Sequence, residues 1–515
     1  MSLINTKDSA LPADRRGSYE NSPFEGYARL RRGICCLLHV RWGGAIASVL
    51  RPTLELEHGR VGGVGLDKDM WVENGARTGA LLVLAVIAAA SIFVFVANPA
   101  RATTTFTVTN TADPGDDTCN ASGCTLREAI DAANDSPGKD SIRFDIQGDT
   151  QTIEPKSKLP TIEEAVIIDG YTQPGADANA LAQGTNAVLK VEISGEDAGP
   201  TASGVHIRSS NSVVKGLAIN RFRGIGLQIG GPGADARGNR VVGNFIGTDP
   251  EGIQDLGNGS RGVVIFSEGT SDNVIGGSRP AARNLISGNQ EGGIGIFISA
   301  DNAVQGNLIG TGANGTGSLT NAGSGVLIDG GATGNLIGGT LSGTDNTIAF
   351  NGGDGVTIGH EEKFMTGLDD STGNSIIRNS IFENALGIDL VGGSEIGFGT
   401  TANDEDDVDD GPNNLQNKTT QVFAATGGGS TTIEGRLNST PDETFTIQFY
   451  SNPPVAGAEG KKYIGRKIVE TNANGNTGIF AFSPTNKVPE GHSITATATD
   501  ADGNTSEFST AAIVT

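Results

Sequence analysis

Six segments that begin Asn-x-Val/Ile recur between residues 211 and 390, with starts 28, 34, 29, 33 and 39 residues apart. Most of them close with Gly and a short apolar alternation, as in GIGLQI at 224–229 and GIGIFI at 293–298. Self-similarity at this period is typical of a solenoid, because one unit cannot bury its apolar face alone and stacks on its neighbours.

The apolar residues of these units recur at a spacing of two, which predicts strands and argues against helices. Val and Ile dominate, and 77 of the 515 residues are Gly, too many for long helices. Each unit offers three short strands, so the sequence predicts an all-β chain whose main part is a right-handed parallel β-helix. Asn at equivalent corners can stack from coil to coil, and the candidates for such a ladder are Asn239, Asn273, Asn302, Asn335 and Asn374.

The N-terminal residues lack this repeat. Residues 80–97 are an unbroken apolar run, and Ala-Arg-Ala ends at residue 102. Residues 70–102 are therefore expected to be a secretory signal peptide, with a retained membrane anchor at 80–97 as the alternative. Residues 1–69 are interpreted as an over-long start assignment, or else as a disordered cytoplasmic tail.

The charge of the remaining chain restricts its partners. Residues 103–515 carry 24 Lys and Arg against 50 Asp and Glu, a net charge of −26. So acidic a surface argues against nucleic acid and anionic lipid as partners. It also disfavours polyanionic sugars unless a cation bridges the two.

Two cysteines and a helix stand at the start of this part. Cys119 and Cys124 lie close in sequence, and in an exported chain they are expected to form a disulfide rather than half of a zinc site. A capping box at Thr125 and Glu128 then opens an amphipathic helix with Leu126, Ala129 and Ile130 on one face. This helix is expected to cover the open end of the first coil.

The segment CTLREAIDAAN at 124–134 resembles the CSLREA motif of many bacterial exported proteins with β-helix repeats. The GNxIGT and NxIxGN repeats and the C-terminal segment GHSITATATDADGNTSEFS are similar to that group as well. The resemblance covers 103–515 and implies a single-stranded, pectin-lyase-like β-helix. It implies no particular activity, since this fold hosts lyases, hydrolases, adhesins and non-enzymes.

The domain boundaries follow from changes in composition. Residues 103–399 are assigned to the β-helix with its N-terminal cap, and the acidic, turn-rich residues 400–418 to a linker or capping loop. Residues 419–515 contain alternating strands separated by turns such as NANGN, which predicts a C-terminal immunoglobulin-like β-sandwich.

Catalytic groups are hard to place on this pattern. His360 stands in IGHEE, and Asp369-Asp370 lies in a loop segment. Arg221, Arg223 and Arg378 could act as bases, but no Asp or Glu cluster is expected beside them within the coils. Asp389 alternates with Ile388 and Leu390 and is expected to face outward as a solvated charge. No catalytic residue is assigned.

Two acidic segments are candidate calcium sites, because carboxylate and amide oxygens are the ligands that Ca²⁺ prefers. The first comprises Asp404, Asp406, Asp407, Asp409 and Asp410, with Glu405 between them. Val408 breaks the EF-hand pattern there, which leaves a less regular oxygen cage. The second comprises Asp500, Asp502 and Asn504, a segment that is also typical of a hairpin turn.

The expected function is that of an exported, non-catalytic β-helix protein of the bacterial cell surface or medium, in adhesion or in contact with a polysaccharide or surface glycan. A polysaccharide lyase or glycoside hydrolase acting in a groove of the β-helix is the first alternative. A structural surface-layer or spacer protein is the second. Calcium is the one cofactor considered, and the oligomeric state is left open.

Overall fold

The structure, a computed structural model, describes residues 103–120, 123–359, 371–392, 399–454 and 459–515. The predicted signal peptide or anchor, the N-terminal extension, His360 and the Asp369-Asp370 pair lie outside the described residues.

The part of the chain that was assigned to the β-helix consists of short strands separated by turns. In chain order they are β1 (Thr105–Val108), β2 (Asp140–Phe144), β3 (Gln151–Ile153), β4 (Val166–Asp169), β5 (Val191–Ser194), β6 (Val205–Ile207), β7 (Val213–Lys215), β8 (Ala218–Asn220), β9 (Leu227–Gly230), β10 (Arg240–Val242), β11 (Phe245–Ile246), β12 (Arg261–Phe266), β13 (Val274–Gly276), β14 (Leu285–Ile286), β15 (Gly292–Phe297), β16 (Ala303–Gln305), β17 (Leu308–Ile309), β18 (Val326–Asp329), β19 (Leu336–Gly338), β20 (Thr347–Ala349), β21 (Val356–Ile358), β22 (Ser375–Ile377), β23 (Ser380–Phe382) and β24 (Ile388–Leu390). Single 3₁₀ turns lie at Gly170–Thr172 and Pro280–Ala282.

These strands form three long parallel sheets that run side by side. The first sheet has the order β1-β2-β4-β7-β10-β13-β16-β19-β22, the second β3-β5-β8-β11-β14-β17-β20-β23, and the third β6-β9-β12-β15-β18-β21-β24. Within the repeats, the chain contributes one strand to each sheet in turn, so three successive strands make one coil. The predicted parallel β-helix is confirmed.

The core lies inside the coils, because aliphatic residues at equivalent positions stack in rows. In the first sheet one such row pairs Val214 with Val241 and Val241 with Ile275, and all three are fully buried. The register keeps every aliphatic side chain of a row on the inside, which is the arrangement that the spacing of two predicted.

Three ladders of Asn side chains, all buried except the half-buried Asn384, support the corners between the sheets. In each ladder the amide nitrogen of one Asn donates to the amide oxygen of the next, at 2.9–3.3 Å. The first ladder is the predicted one: Asn239, Asn273, Asn302, Asn335 and Asn374. The others were not foreseen and consist of Asn244, Asn284, Asn307, Asn346 and Asn379, and of Asn258, Asn289, Asn321, Asn351 and Asn384.

Helix α1 (Leu126–Asp135) covers the first coil. The capping box is present, because Glu128 Oε2 accepts from the backbone amide of Thr125 at 2.7 Å. Leu126, Ala129 and Ile130 are buried in the same cluster as the first strands. The predicted disulfide joins Cys119 to Cys124 just before the helix.

The C-terminal residues form two antiparallel sheets. Their strands are β25 (Thr420–Gly427), β26 (Ser430–Arg436), β27 (Thr444–Asn452), β28 (Lys462–Glu470), β29 (Phe480–Phe482), β30 (Ser493–Thr499) and β31 (Ala512–Ile513), preceded by a 3₁₀ turn at Pro412–Leu415. One sheet has the order β25-β26-β29 and the other β28-β27-β30-β31. A separate buried cluster that includes Phe445, Ile447 and Phe449 lies between them, as expected for an immunoglobulin-like sandwich.

The sandwich closes the open end of the last coil. The backbone of Ile381 in β23 exchanges both hydrogen bonds with Gly460, at 2.9 and 3.0 Å. The amide of Ile376 in β22 donates to Thr505 Oγ1, and that of Leu390 in β24 donates to Glu507 Oε1. The exposed strand edges that a solenoid leaves at its end are therefore paired in all three sheets.

Candidate metal centre

The acidic segment at residues 404–410 lies at the junction between the last coil and the sandwich. Asp406 and Asp407 adopt left-handed backbone conformations, with φ of 64° and 56°. Asn438 of the sandwich accepts from the backbone amide of Asp406 at 2.9 Å, and Asn417 Oδ1 accepts from that of Asp404 at 3.1 Å. These bonds fix the segment as a tight turn against the sandwich.

Three of the five predicted aspartates converge in this turn. Carboxylate oxygens of Asp404, Asp407 and Asp409 all lie within 4.8 Å of one another. Asp406 instead pairs with the Asn438 amide at 3.3 Å, and Asp410 is exposed. The turn directs Asp404, Asp407 and Asp409 toward one another and Asp406 and Asp410 away, so adjacency in sequence does not reveal which of them meet.

Asp407 is the most perturbed member of the group. Burial, with a smaller contribution from the neighbouring charges of Asp404 and Asp409, raises the pKa of Asp407 to about 7, although hydrogen bonds from Ser439 and the Asn417 amide act to lower it. Burial likewise raises the pKa of Asp409, again with Asp404 adding to the effect. The fold thus holds three carboxylates together at an electrostatic cost that a cation would offset.

Two oxygens of the group are enclosed by the protein yet accept no hydrogen bond from any described residue: Asp404 Oδ1 and Asp409 Oδ1. Buried polar atoms are normally satisfied, so such a pair calls for an explanation. Hard oxygen ligands that are grouped in an irregular turn suit Ca²⁺, which accepts flexible geometry and carboxylates. The three residues therefore fit the predicted calcium site.

The second predicted calcium segment has a different arrangement. The Asp500 carboxylate accepts from both the backbone and the side-chain amide of Asn504, at 2.7 and 2.6 Å. Asn504 Oδ1 in turn accepts from the amide of Gly373 in the last coil, and Asp502 is exposed. The oxygens of Asp500 and Asn504 are thus engaged in a turn that contacts the last coil, which favours the hairpin interpretation.

The prediction that Asp389 is a solvated surface charge was wrong. Its side chain does lie on the outer side of β24, but only 1% of the residue is exposed. It shares a side-chain hydrogen bond with Asp354, which is also buried, and burial raises the pKa of Asp354. Strand alternation gave the correct side of the sheet, but it could not show that this part of the outer face is covered.

Carboxylates also accompany one of the arginines, contrary to expectation. The Arg221 guanidinium lies 3.6 Å from Glu192 and 3.8 Å from Glu196. Glu192 also accepts from Asn220 and from Thr152 Oγ1. The acidic partners come from the preceding coil, about one repeat away in sequence, so the sequence alone does not reveal this pairing.

Comparisons with known proteins do not test the resemblance to the CSLREA group. No protein-family model matches the chain, and no curated protein shows significant similarity to it. Among the described residues, no helix combines the length and the apolar character needed to cross a bilayer. The apolar run at 80–97 lies outside those residues.

Proposed function

We propose that the chain is an exported, non-catalytic β-helix protein of the cell surface or medium that contacts carbohydrate. We further propose that a calcium ion held by Asp404, Asp407 and Asp409 stabilises the junction between β-helix and sandwich. One observation carries this proposal: within the described residues, the group of three converging carboxylates sits in the junction turn and not on a strand face of a coil. Carboxylates so placed are suited to hold a cation between two domains.

The surface of the second sheet supports a binding role. The loop at 171–186 lies across this sheet, where the amide of Thr185 donates to the Ala313 carbonyl at 2.7 Å. The Arg283 guanidinium donates to the carbonyls of Leu181 and Gly184 in the same loop. The amide of Ala313 also donates to the Gly252 carbonyl, so loops from three units are fixed to one another over the second sheet. A preorganised surface loses little conformational entropy on binding.

The resemblance, the disulfide and the net charge support the proposal of an exported protein that does not bind nucleic acid. The disulfide between Cys119 and Cys124 suits an oxidising compartment. The net charge of −26 over residues 103–515 disfavours nucleic acid as a general partner.

A glycan array combined with assays for reducing ends and for unsaturated products tests the function. The expected result is binding of at least one glycan without turnover. Turnover of any polysaccharide would contradict the non-catalytic role, and an array without binding would favour the structural spacer.

Polysaccharide cleavage is the second candidate, and the group of Arg221 with Glu192 and Glu196 is the observation in its favour. A base beside carboxylates is the arrangement that lyase chemistry needs. The mutual ion pairing of these groups accounts for the same geometry. If turnover is found, R221A should abolish it, whereas R223A serves as the matched control.

A further inference from the structure

A strip of positive charge lies where the edge of the sandwich meets the corner of the last coil. Four of its residues, Lys461, Lys462, Arg466 and Lys467, lie in or next to the edge strand β28, and the fifth, Arg378, lies between β22 and β23. We call these five residues the basic strip. Together they are five of only 24 basic residues in residues 103–515, which carry 50 acidic ones.

Within the described ranges, the basic strip has no acidic partners. No described carboxylate lies within ion-pair distance of any of its five residues, whereas cations elsewhere on the surface, such as Lys156, Lys215 and Arg237, are paired. Clustering unpaired cations costs electrostatic free energy, and an anionic ligand removes that cost. The strip is thus a local exception to the acidic character of the chain.

Aromatic rings hold two of the cations in place. The Arg378 guanidinium lies 4.9 Å from the centre of the Tyr463 ring, and its Nη1 donates to the Thr340 carbonyl at 2.6 Å. Lys461 Nζ lies 4.1 Å from the centre of the Phe382 ring. Such contacts fix the position of a charge without neutralising it.

Arg378 also occupies a strained backbone position. The same corner in three earlier coils is taken by Gly216, Gly243 and Gly306, with φ between 66° and 73°. Arg378 has φ of 61°, a conformation that side chains other than glycine adopt at a cost. Strain of this kind is retained where the side chain has a use.

We propose that the basic strip binds an acidic polysaccharide, one that carries carboxylate or sulfate groups. This inference rests on the proposed carbohydrate contact and specifies the class of glycan. Lys462 and Lys467 lie on one side of β28 and Arg466 on the other, and a β-bulge separates Lys462 from Arg466. The strip therefore follows the edge of the sheet for at most about 17 Å, which suits a linear chain with repeated charges. The acidic surface around the strip repels a polymer as densely charged as duplex DNA, whereas a more sparsely charged polysaccharide can reach it.

Binding of the purified protein to polygalacturonate, heparin, neutral dextran and a DNA duplex tests this proposal. Polygalacturonate or heparin should bind, with an affinity that falls as salt rises. K462E/R466E should weaken that binding about tenfold or more. R436E/K487E, which reverses two exposed cations elsewhere in the sandwich, should leave it within about twofold. R378G, which restores the residue of the earlier corners, should weaken binding without lowering the melting temperature.

The remaining outcomes separate the two proposals. Binding of neutral glycans alone would overturn the basic strip as a site and leave the carbohydrate contact standing. Failure to bind any glycan would overturn both. Equal affinity for DNA and the acidic polysaccharides would show unspecific attraction and overturn the inference. If K462E/R466E self-associates while the parent protein binds no polyanion, the cations only protect the edge strand from pairing.

Discussion

The backbone amide of Asn374 donates to the side-chain oxygen of Asn413 at 3.0 Å, and the Asn413 amide group returns a bond to the Asn374 carbonyl at 2.8 Å. Asn413 lies beyond the last coil, in the segment that leads into the sandwich. The first Asn ladder therefore continues into the part of the chain that the sequence suggested was a linker. The third ladder ends similarly, because Asn384 donates to Glu459 at 3.0 Å.

The ladder should be costly to interrupt. N302A removes the amide group that donates to Asn335 and accepts from both the backbone and the side chain of Asn273. Buried partners left unsatisfied should lower the free energy of unfolding by about 2–4 kcal/mol. Denaturant unfolding measures this. N474A, at an exposed turn, should change it by less than about 0.5 kcal/mol, and equal losses in both variants would contradict the role of the ladder.

Calcium should stabilise the protein through the junction turn. At a free concentration of about 100 Kd, calcium should raise the free energy of unfolding by about 2.7 kcal/mol over its value in the presence of a chelator. Thermal unfolding detects this gain. D404N/D409N should abolish this gain, and D410N, which alters an exposed neighbour, should keep it. A melting temperature that calcium leaves unchanged in the parent protein would count against the site.

The free energy of unfolding should also depend on pH, and calcium should diminish or reverse that dependence. The pKa of Asp407 is about 7 in the folded protein, above the value of about 3.9 expected when the chain is unfolded. The folded state therefore holds the proton more tightly, and without calcium the stability should fall as the pH rises from about 4 to about 7. Calcium binds the deprotonated group and should diminish or reverse this fall, as unfolding at a series of pH values would reveal. D407N should remove both effects.

The N-terminal cap should depend on one carboxylate. Glu128 accepts from the amides of Thr125 and Asp116, both at 2.7 Å. Although burial opposes ionisation, these bonds hold the pKa of Glu128 below its usual value. E128Q should lower the free energy of unfolding by about 1–3 kcal/mol. Hydrogen exchange in α1 should report the loss locally. D135N removes a negative charge from the exposed C-terminal end of the helix, and should leave the free energy of unfolding unchanged or raise it by about 0.3 kcal/mol.

The architecture was predictable because it depends on local periodicity. Alternating aliphatic residues fix which side of a strand faces inward, and a recurrent Asn fixes the corner. Two ladders were missed although the sequence contains their signal. Asn244 and Asn307 follow Gly five residues after ladder positions, and members of the third ladder lie four residues before Gly262 and Gly293. These offsets are regular, but they lie inside the segments and not at the Asn that begins each one.

The site depends on contacts between distant residues, which periodicity does not encode. That Asp404, Asp407 and Asp409 meet is decided by two left-handed residues in the turn and by Asn438 of the sandwich. The pairing of Arg221 with Glu192 arises only when one coil stacks on the preceding one. The coverage of Asp389 is likewise a tertiary effect.

Many of the bonds that close the last coil involve its backbone edges and corner Asn residues, features that all repeats share. An ancestor could therefore have gained or lost whole repeats while both ends remained sealed. The number of coils can therefore change in evolution as a separate property, without any change to the segments that cover the two ends.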